Sequence, residues 1–311
     1  MRQLVALIAL LTLLPATVAW GAELDELLTR GNEANYSAEQ TISCSTPDGV
    51  RDAVVRITQM DGELRVSSSV TDEVEVAAGG GTWSVRRGDG LIAETAVDAG
   101  EQEKTEPLYT VEEEAAVEYL GRAAMSYLLI RDGEPRGELT FDNETGALVE
   151  AITFTLDGEV YCERRFTSID SQVESTSTLD TEAAADTGGT APVEVEASPL
   201  PEEVSGFELL DQYEDEDGLR FSYYSDGFFS FAVFETPTAV SLPEATAVDL
   251  DSGKYVRAFT AGQVTYVWET VNGGMALVGD LPPDLHEAVL DDMPHPQDPG
   301  FFRRWWRNLF G

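Results

Sequence analysis

Residues 219–234 read LRFSYYSDGFFSFAVF, two apolar runs that meet at Ser225-Asp226-Gly227. Leu219, Phe221 and Tyr223 alternate with Arg220, Ser222 and Tyr224; beyond the turn, Phe229, Phe231 and Val233 alternate with Ser230 and Ala232. A period of two is that of a half-buried strand, and Asp-Gly supplies the positive φ of a tight hairpin turn. The same alternation predicts strands over residues 36–45, 50–59, 63–70, 74–77 and 83–85, then over 124–131, 137–142, 148–156 and 160–169. Pro47-Asp48-Gly49, Asp61-Gly62, Asp132-Gly133 and Asp157-Gly158 punctuate them. Strands so closely spaced imply one large antiparallel sheet.

Helical spacing is scarce. Residues 24–34 put Leu24, Leu27, Leu28 and Ala34 near one helical face, with Gly31 weakening the later part. Residues 111–119 form a weaker helix candidate, with Glu112, Glu113 and Glu114 in the first turn, where negative charge is favoured. Strands over 247–250, 255–260 and 263–270 and a short segment at 275–279 lead to a closing helix at 285–293, for which Pro282-Pro283 marks the start and Asp284 the cap.

Between these two groups, residues 166–219 contain no lysine or arginine, and residues 171–204 are filled with Ser, Thr, Ala, Glu, Asp, Gly and Pro. Low hydrophobicity with unbalanced charge does not repay the entropy of ordering, so this stretch reads as a flexible, self-repelling linker. The reading is α+β with this layout: residues 1–22, a leader; 23–170, a domain of one long antiparallel sheet and a few helices; 171–200, the acidic linker; 201–293, a smaller antiparallel sheet plus helix; and 294–311, a Pro-rich spacer and tail. The leader has Arg2, an apolar run at 4–14 too short to span a bilayer, Pro15, and small residues around 19–22. That pattern predicts a secretory signal and an exported, extracytoplasmic chain.

Composition narrows the partners. The chain has 311 residues, 42% of them hydrophobic, and a formal net charge of −39 from 58 acidic and 19 basic residues; only Lys104 and Lys254 are lysines. Such a surface repels nucleic acid. Export places Cys44 and Cys162 in an oxidising compartment, where a disulfide is expected, with two separate buried thiols as the alternative. Two isolated cysteines offer no zinc spacing.

Catalytic chemistry is thin. The only histidines, His286 and His295, fall on the closing helix and in the Pro-rich stretch and read as surface residues, so a nucleophilic triad has little to be built from. Gly79-Gly80-Gly81 lacks the ending of a phosphate loop, and Asp215-Glu216-Asp217-Gly218 lacks the spacing of a calcium loop. No catalytic residue, metal site or cofactor is expected.

The ordered set of turns and strand ends resembles the MucB/RseB family. Ala34-Asn35-Tyr36-Ser37, Gly121-Arg122, Arg131-Asp132-Gly133, Phe141-Asp142-Asn143-Glu144-Thr145-Gly146 and Asp157-Gly158-Glu159-Val160 resemble its first domain. Pro201, Gly206-Phe207, Tyr224-Ser225-Asp226-Gly227, Ser230-Phe231-Ala232-Val233-Phe234 and Gly279-Asp280-Leu281-Pro282-Pro283 resemble its second. The resemblance implies a first domain shaped like the lipoprotein carriers LolA and LppX, an open half-barrel around an apolar groove. It implies a second domain that helps to hold the extracytoplasmic part of a membrane anti-sigma factor, shielding it from proteolysis in the envelope stress response until a lipid-like ligand displaces it. A lipid or lipoprotein carrier is the alternative function.

One motif lies outside that pattern. Residues 301–310 read FFRRWWRNLF. At about 100° per residue, Phe301, Phe302, Trp305, Trp306, Leu309 and Phe310 take one half of a helix and Arg303, Arg304, Arg307 and Asn308 the other. The division suits a helix lying in a membrane interface; docking on a partner or on the protein's own acidic surface is the other reading.

Overall fold

The structure, a computed structural model, describes residues 30–31, 33–60, 62–68, 74–79, 82–87, 90–96, 108–171, 193–194, 200–214, 220–236, 245–260, 262–270 and 273–296. They fall into two units, which divide between residues 192 and 193. The leader and the arginine-aromatic tail lie outside the described residues, as does most of the expected linker.

The first unit is an open antiparallel sheet of eleven strands in the order β6-β5-β4-β3-β2-β1-β11-β10-β9-β8-β7. The strands are β1 (Tyr36–Thr46), β2 (Gly49–Met60), β3 (Glu63–Ser68), β4 (Val74–Gly79), β5 (Thr82–Arg87), β6 (Gly90–Ala96), β7 (Thr110–Tyr119), β8 (Arg122–Arg131), β9 (Glu134–Asp142), β10 (Leu148–Phe154) and β11 (Val160–Asp170). Two meanders, β1 to β6 and β7 to β11, are thus joined along a single seam, where β1 pairs with β11. Cys44 and Cys162 stand opposite each other on that seam and are joined as a disulfide, their Cα atoms 4.0 Å apart. The sheet coils strongly: Tyr119 on the edge strand donates its hydroxyl to the Phe166 carbonyl at 3.0 Å, although three strands lie between β7 and β11. An open, coiled sheet fits the expected half-barrel.

Residues 111–119 are strand β7, not a helix. Leu120 and Gly121, at φ 51° and 74°, make the tight turn that folds β7 onto β8, and an irregularity between Glu113 and Ala115 absorbs the residue that broke the alternation. β6 was not anticipated at all. Of the helix expected over 24–34, Arg30, Gly31 and Glu33 are described and helical. A Cβ on Gly31 would stand 2.5 Å from the Gly146 carbonyl oxygen, so only glycine lets this helix approach the β9–β10 turn.

The second unit is a nine-stranded antiparallel sheet, ordered β12-β14-β15-β16-β20-β19-β18-β17, with β13 beside β14. Its elements are β12 (Val193–Glu194), β13 (Glu203–Val204), β14 (Phe207–Glu214), β15 (Arg220–Ser225), β16 (Ser230–Thr236), β17 (Thr246–Leu250), β18 (Gly253–Thr260), β19 (Gln263–Thr270), β20 (Gly273–Gly279) and α1 (Pro283–Asp291). β12 lies within the stretch expected to be linker. Val289 and Leu290 of α1 join a core with Phe207, Tyr224, Phe231, Val264, Tyr266, Trp268 and Leu277. Pro282 rather than Asp284 is the N-cap: it is extended at ψ 152°, with Pro283 helical behind it and Asp284 in the first turn. β16 is not half-buried as its period suggests, because all five residues from Ser230 to Phe234 are buried, whereas β15 remains half-buried.

Candidate functional site

The first unit offers two chemically distinct faces. Residues directly opposite each other across a sheet share a face, so the registers lay Ile42, Arg164, Ala151, Leu139 and Tyr127 in one row across β1, β11, β10, β9 and β8. Tyr36, Ala38, Val55, Ile57, Phe141 and Phe166 are buried in rows nearby. This face is largely apolar, with Arg164, Gln40 and Gln59 among its polar members. The neighbouring row, Thr41, Arg165, Glu150, Thr140 and Ser126, faces the other way. Arg165 pairs there with Glu150, and the Ser126 hydroxyl donates to Glu138 at 2.8 Å.

At one end of this sheet, two stretches that carry the family resemblance are bonded to each other. Arg122 donates from Nε and Nη2 to the two oxygens of Asp142 at 2.9 and 3.0 Å, and Asp142 also accepts from the Thr145 amide and hydroxyl at 2.9 and 2.6 Å. Burial alone would raise the Asp142 carboxyl; the hydrogen bonds and charge of Arg122 and Thr145 outweigh it and hold the group below the usual carboxylate range.

In the second unit the residues between β15 and β16 form a structural joint. Asp226 Oδ1 accepts from the Phe228 and Phe229 amides at 3.0 and 2.8 Å, and the Ser225 hydroxyl donates to the Phe229 carbonyl at 3.1 Å. The connection is a four-residue loop closed by the Ser225–Ser230 pair, longer than the tight turn expected from Asp-Gly. Phe229 turns inward from it into the core. Asp280 Oδ1 accepts from the Ser230 amide at 3.1 Å, and the Tyr224 hydroxyl donates to the Pro201 carbonyl at 2.8 Å. Pro201, Tyr224 to Gly227, Ser230 and Asp280 are therefore parts of one arrangement.

His286 is buried at 5% exposure, which overturns its reading as a surface histidine. Its Nε2 lies 2.8 Å from the Leu281 carbonyl, which can only accept, so Nε2 carries the proton and Nδ1 accepts from the Tyr266 hydroxyl at 2.9 Å. Burial is the main reason its pKa falls to about 4; Arg257 lowers it further, against the Leu281 bond and Asp284. Both ring nitrogens are thus engaged, Nδ1 tying α1 to β19 and Nε2 tying it to the segment that leads into it. His295 is exposed, as expected, with Nε2 donating to the Asp291 carbonyl at 3.0 Å.

Among the described residues, no three His, Cys, Asp or Glu side chains are grouped to hold a metal ion. The structure brings Cys44 and Cys162 together, while Phe301, Phe302, Arg303, Arg304, Trp305, Trp306, Arg307, Leu309 and Phe310 lie outside the described residues. Sequence reading missed the Tyr266–His286 pair and the burial of Gln263 and Glu269 on β19. A polar residue alternating with aromatics looks solvent-facing unless the sheet is known to be covered on both sides.

No family model matches the chain, and no curated protein matches it. Solved structures do. The Pseudomonas aeruginosa MucA/MucB complex superposes with a TM-score of 0.51 at 18% identity, over 89% of this chain and 100% of that one. MucB in complex with MucA(peri) gives 0.50 at 17% identity, over 89% and 99%. MucB crystallised without a named partner gives 0.52 at 18%, over 87% and 98%. The shared course of the chain runs through both sheets. This protein has the fold of MucB.

Proposed function

We propose that this chain is an exported binding protein that engages the extracytoplasmic part of a membrane anti-sigma factor and thereby controls envelope-stress transcription. The observation that carries this reading is the extent of the shared fold: it spans both units, covers nearly the whole of MucB, and includes structures in which MucB is held with MucA. The internal chemistry supports recognition over catalysis, since Asp142 and His286 spend their hydrogen-bonding capacity on joints of the fold. Extracytoplasmic location follows from the leader at residues 1–22. In a pulldown, the immobilised mature chain should retain the exported segment of a one-span anti-sigma factor from the same organism. Absence of binding at micromolar concentration removes the reading.

The largely apolar face of the first sheet, interrupted by Arg164, favours a second reading, a lipid or lipoprotein carrier, which is compatible with a lipid-like ligand in the first. Native mass spectrometry of the purified protein should then find a bound acyl chain; a protein that is always empty counts against it.

A further inference from the structure

Among the described residues, β7 is an edge of the first sheet and pairs with β8 alone. Both of its ends are fastened. Tyr109, just before it, is buried, with the Arg131 guanidinium carbon 5.8 Å from its ring centre, and Tyr119 donates to the Phe166 carbonyl at 3.0 Å. Between them Thr110, Glu112 and all four residues from Ala115 to Glu118 are exposed. A half-buried sheet turns alternate residues inward. Here Ala115 and Val117 share the face of Ser126 and Ala124, Ala116 and Glu118 share the face of Met125 and Ala123, and both sets are open to solvent.

An exposed row of backbone N–H and C=O groups recruits further strands unless it is guarded. β7 carries Glu112, Glu113, Glu114 and Glu118 on ten residues. These charges guard against a second copy of this chain, which would bring the same glutamates and a net charge of −39. They attract a basic strand. A merely guarded edge would also be polar, and this one is not. Six large apolar side chains are exposed among the described residues, and Leu108 at 43%, Val117 at 38% and Leu120 at 47% belong to this strand and its flanks.

We infer that β7 is a docking edge for an extended segment of a partner protein in which apolar and basic residues alternate. The segment adds as a further strand along residues 115–119, on the regular side of the irregularity between Glu113 and Ala115. Its backbone bonds to the open edge, its apolar row lies with Ala115 and Val117, and its basic row lies with Glu118 on the other face. Because both ends of β7 are already fastened, docking has only the incoming chain to order. The edge selects this chemistry whichever protein supplies the segment.

The probe is an amidated nine-residue peptide alternating lysine and valine, titrated into the mature protein by fluorescence anisotropy and followed by hydrogen exchange with mass spectrometry. At saturation, exchange over residues 115–119 should slow at least about fivefold. Glu112→Lys with Glu118→Lys should weaken binding about tenfold, the effect of turning two exposed attractions into repulsions. Both positions are exposed, so the variant keeps its fold, with Tm measured beside it. A peptide of equal charge with proline in place of each valine lacks N–H groups that a strand must offer, and should leave residues 115–119 unprotected. No binding overturns the proposal. So does binding that leaves exchange over 115–119 unchanged, binding that survives the charge reversal, or equal protection by the proline peptide. Protection that grows with protein concentration in the absence of peptide assigns the edge to a second copy and likewise overturns it. The pulldown with the anti-sigma segment is read separately, so either experiment can fail while the other stands.

Discussion

His286 carries the sharpest consequence at the scale of single residues. Its imidazole titrates at about 4 when folded against 6.5 when free, so between those values the unfolded chain binds the extra proton. Its contribution is fully present above about pH 6.5 and is lost as pH falls towards 4, to a total of ~3 kcal/mol. The chain's 58 acidic residues also titrate towards the lower end of that window. The informative quantity is therefore the wild-type stability minus that of His286→Gln, measured by urea unfolding; this difference should shrink from pH 7 to pH 4, and a flat difference would refute the assignment. Arg122 makes a second prediction: Arg122→Met strands the buried Asp142 carboxylate and should cost about 3 kcal/mol. Neither effect was readable in sequence, because a histidine among acidic and apolar neighbours does not announce which side of a helix is covered.

Among elements, turn chemistry separates what was legible from what was not. Asp132-Gly133 predicted a hairpin, and both residues adopt the positive φ that such a turn requires, 55° and 84°. Leu120-Gly121 makes the same kind of turn, yet leucine rarely adopts positive φ, and Glu112 to Glu114 near the start of β7 imitated the first turn of a helix. Gly121→Val should accordingly cost about 1–2 kcal/mol and loosen the β7–β8 edge, visible as faster amide exchange there than elsewhere in the sheet. The resemblance motifs survive for a related reason. Arg122 with Asp142, and Tyr224 to Gly227 with Ser230 and Asp280, are joints where strands must end and turn, so identity matters there more than in the strands between. The seam between β1 and β11 joins two meanders whose other pairings are local. Its Cys44–Cys162 link closes a separation of 118 residues, and reduction should lower stability by about 5 kcal/mol on the loop-entropy relation. Urea unfolding with and without reductant measures it; an unchanged midpoint would remove the seam from the account.

For the whole molecule, alternating apolar positions foretold two antiparallel sheets and their order along the chain. They did not foretell that β16, β19 and β20 at the centre of the second sheet are buried on both faces, since period two implies one wet face. A charge of −39 makes the folded surface repel itself. Tm should rise as salt increases from about 0.1 M to about 1 M, where the screening length falls from about 10 Å to about 3 Å. The same charge disfavours nucleic acid. Calorimetric titration of the mature protein with the purified extracytoplasmic segment of its organism's anti-sigma factor tests the central claim most directly. The account predicts saturable binding with Kd of about 1 µM or tighter, near −8 kcal/mol; no binding with the segment at about 100 µM, about −5 kcal/mol, would contradict it.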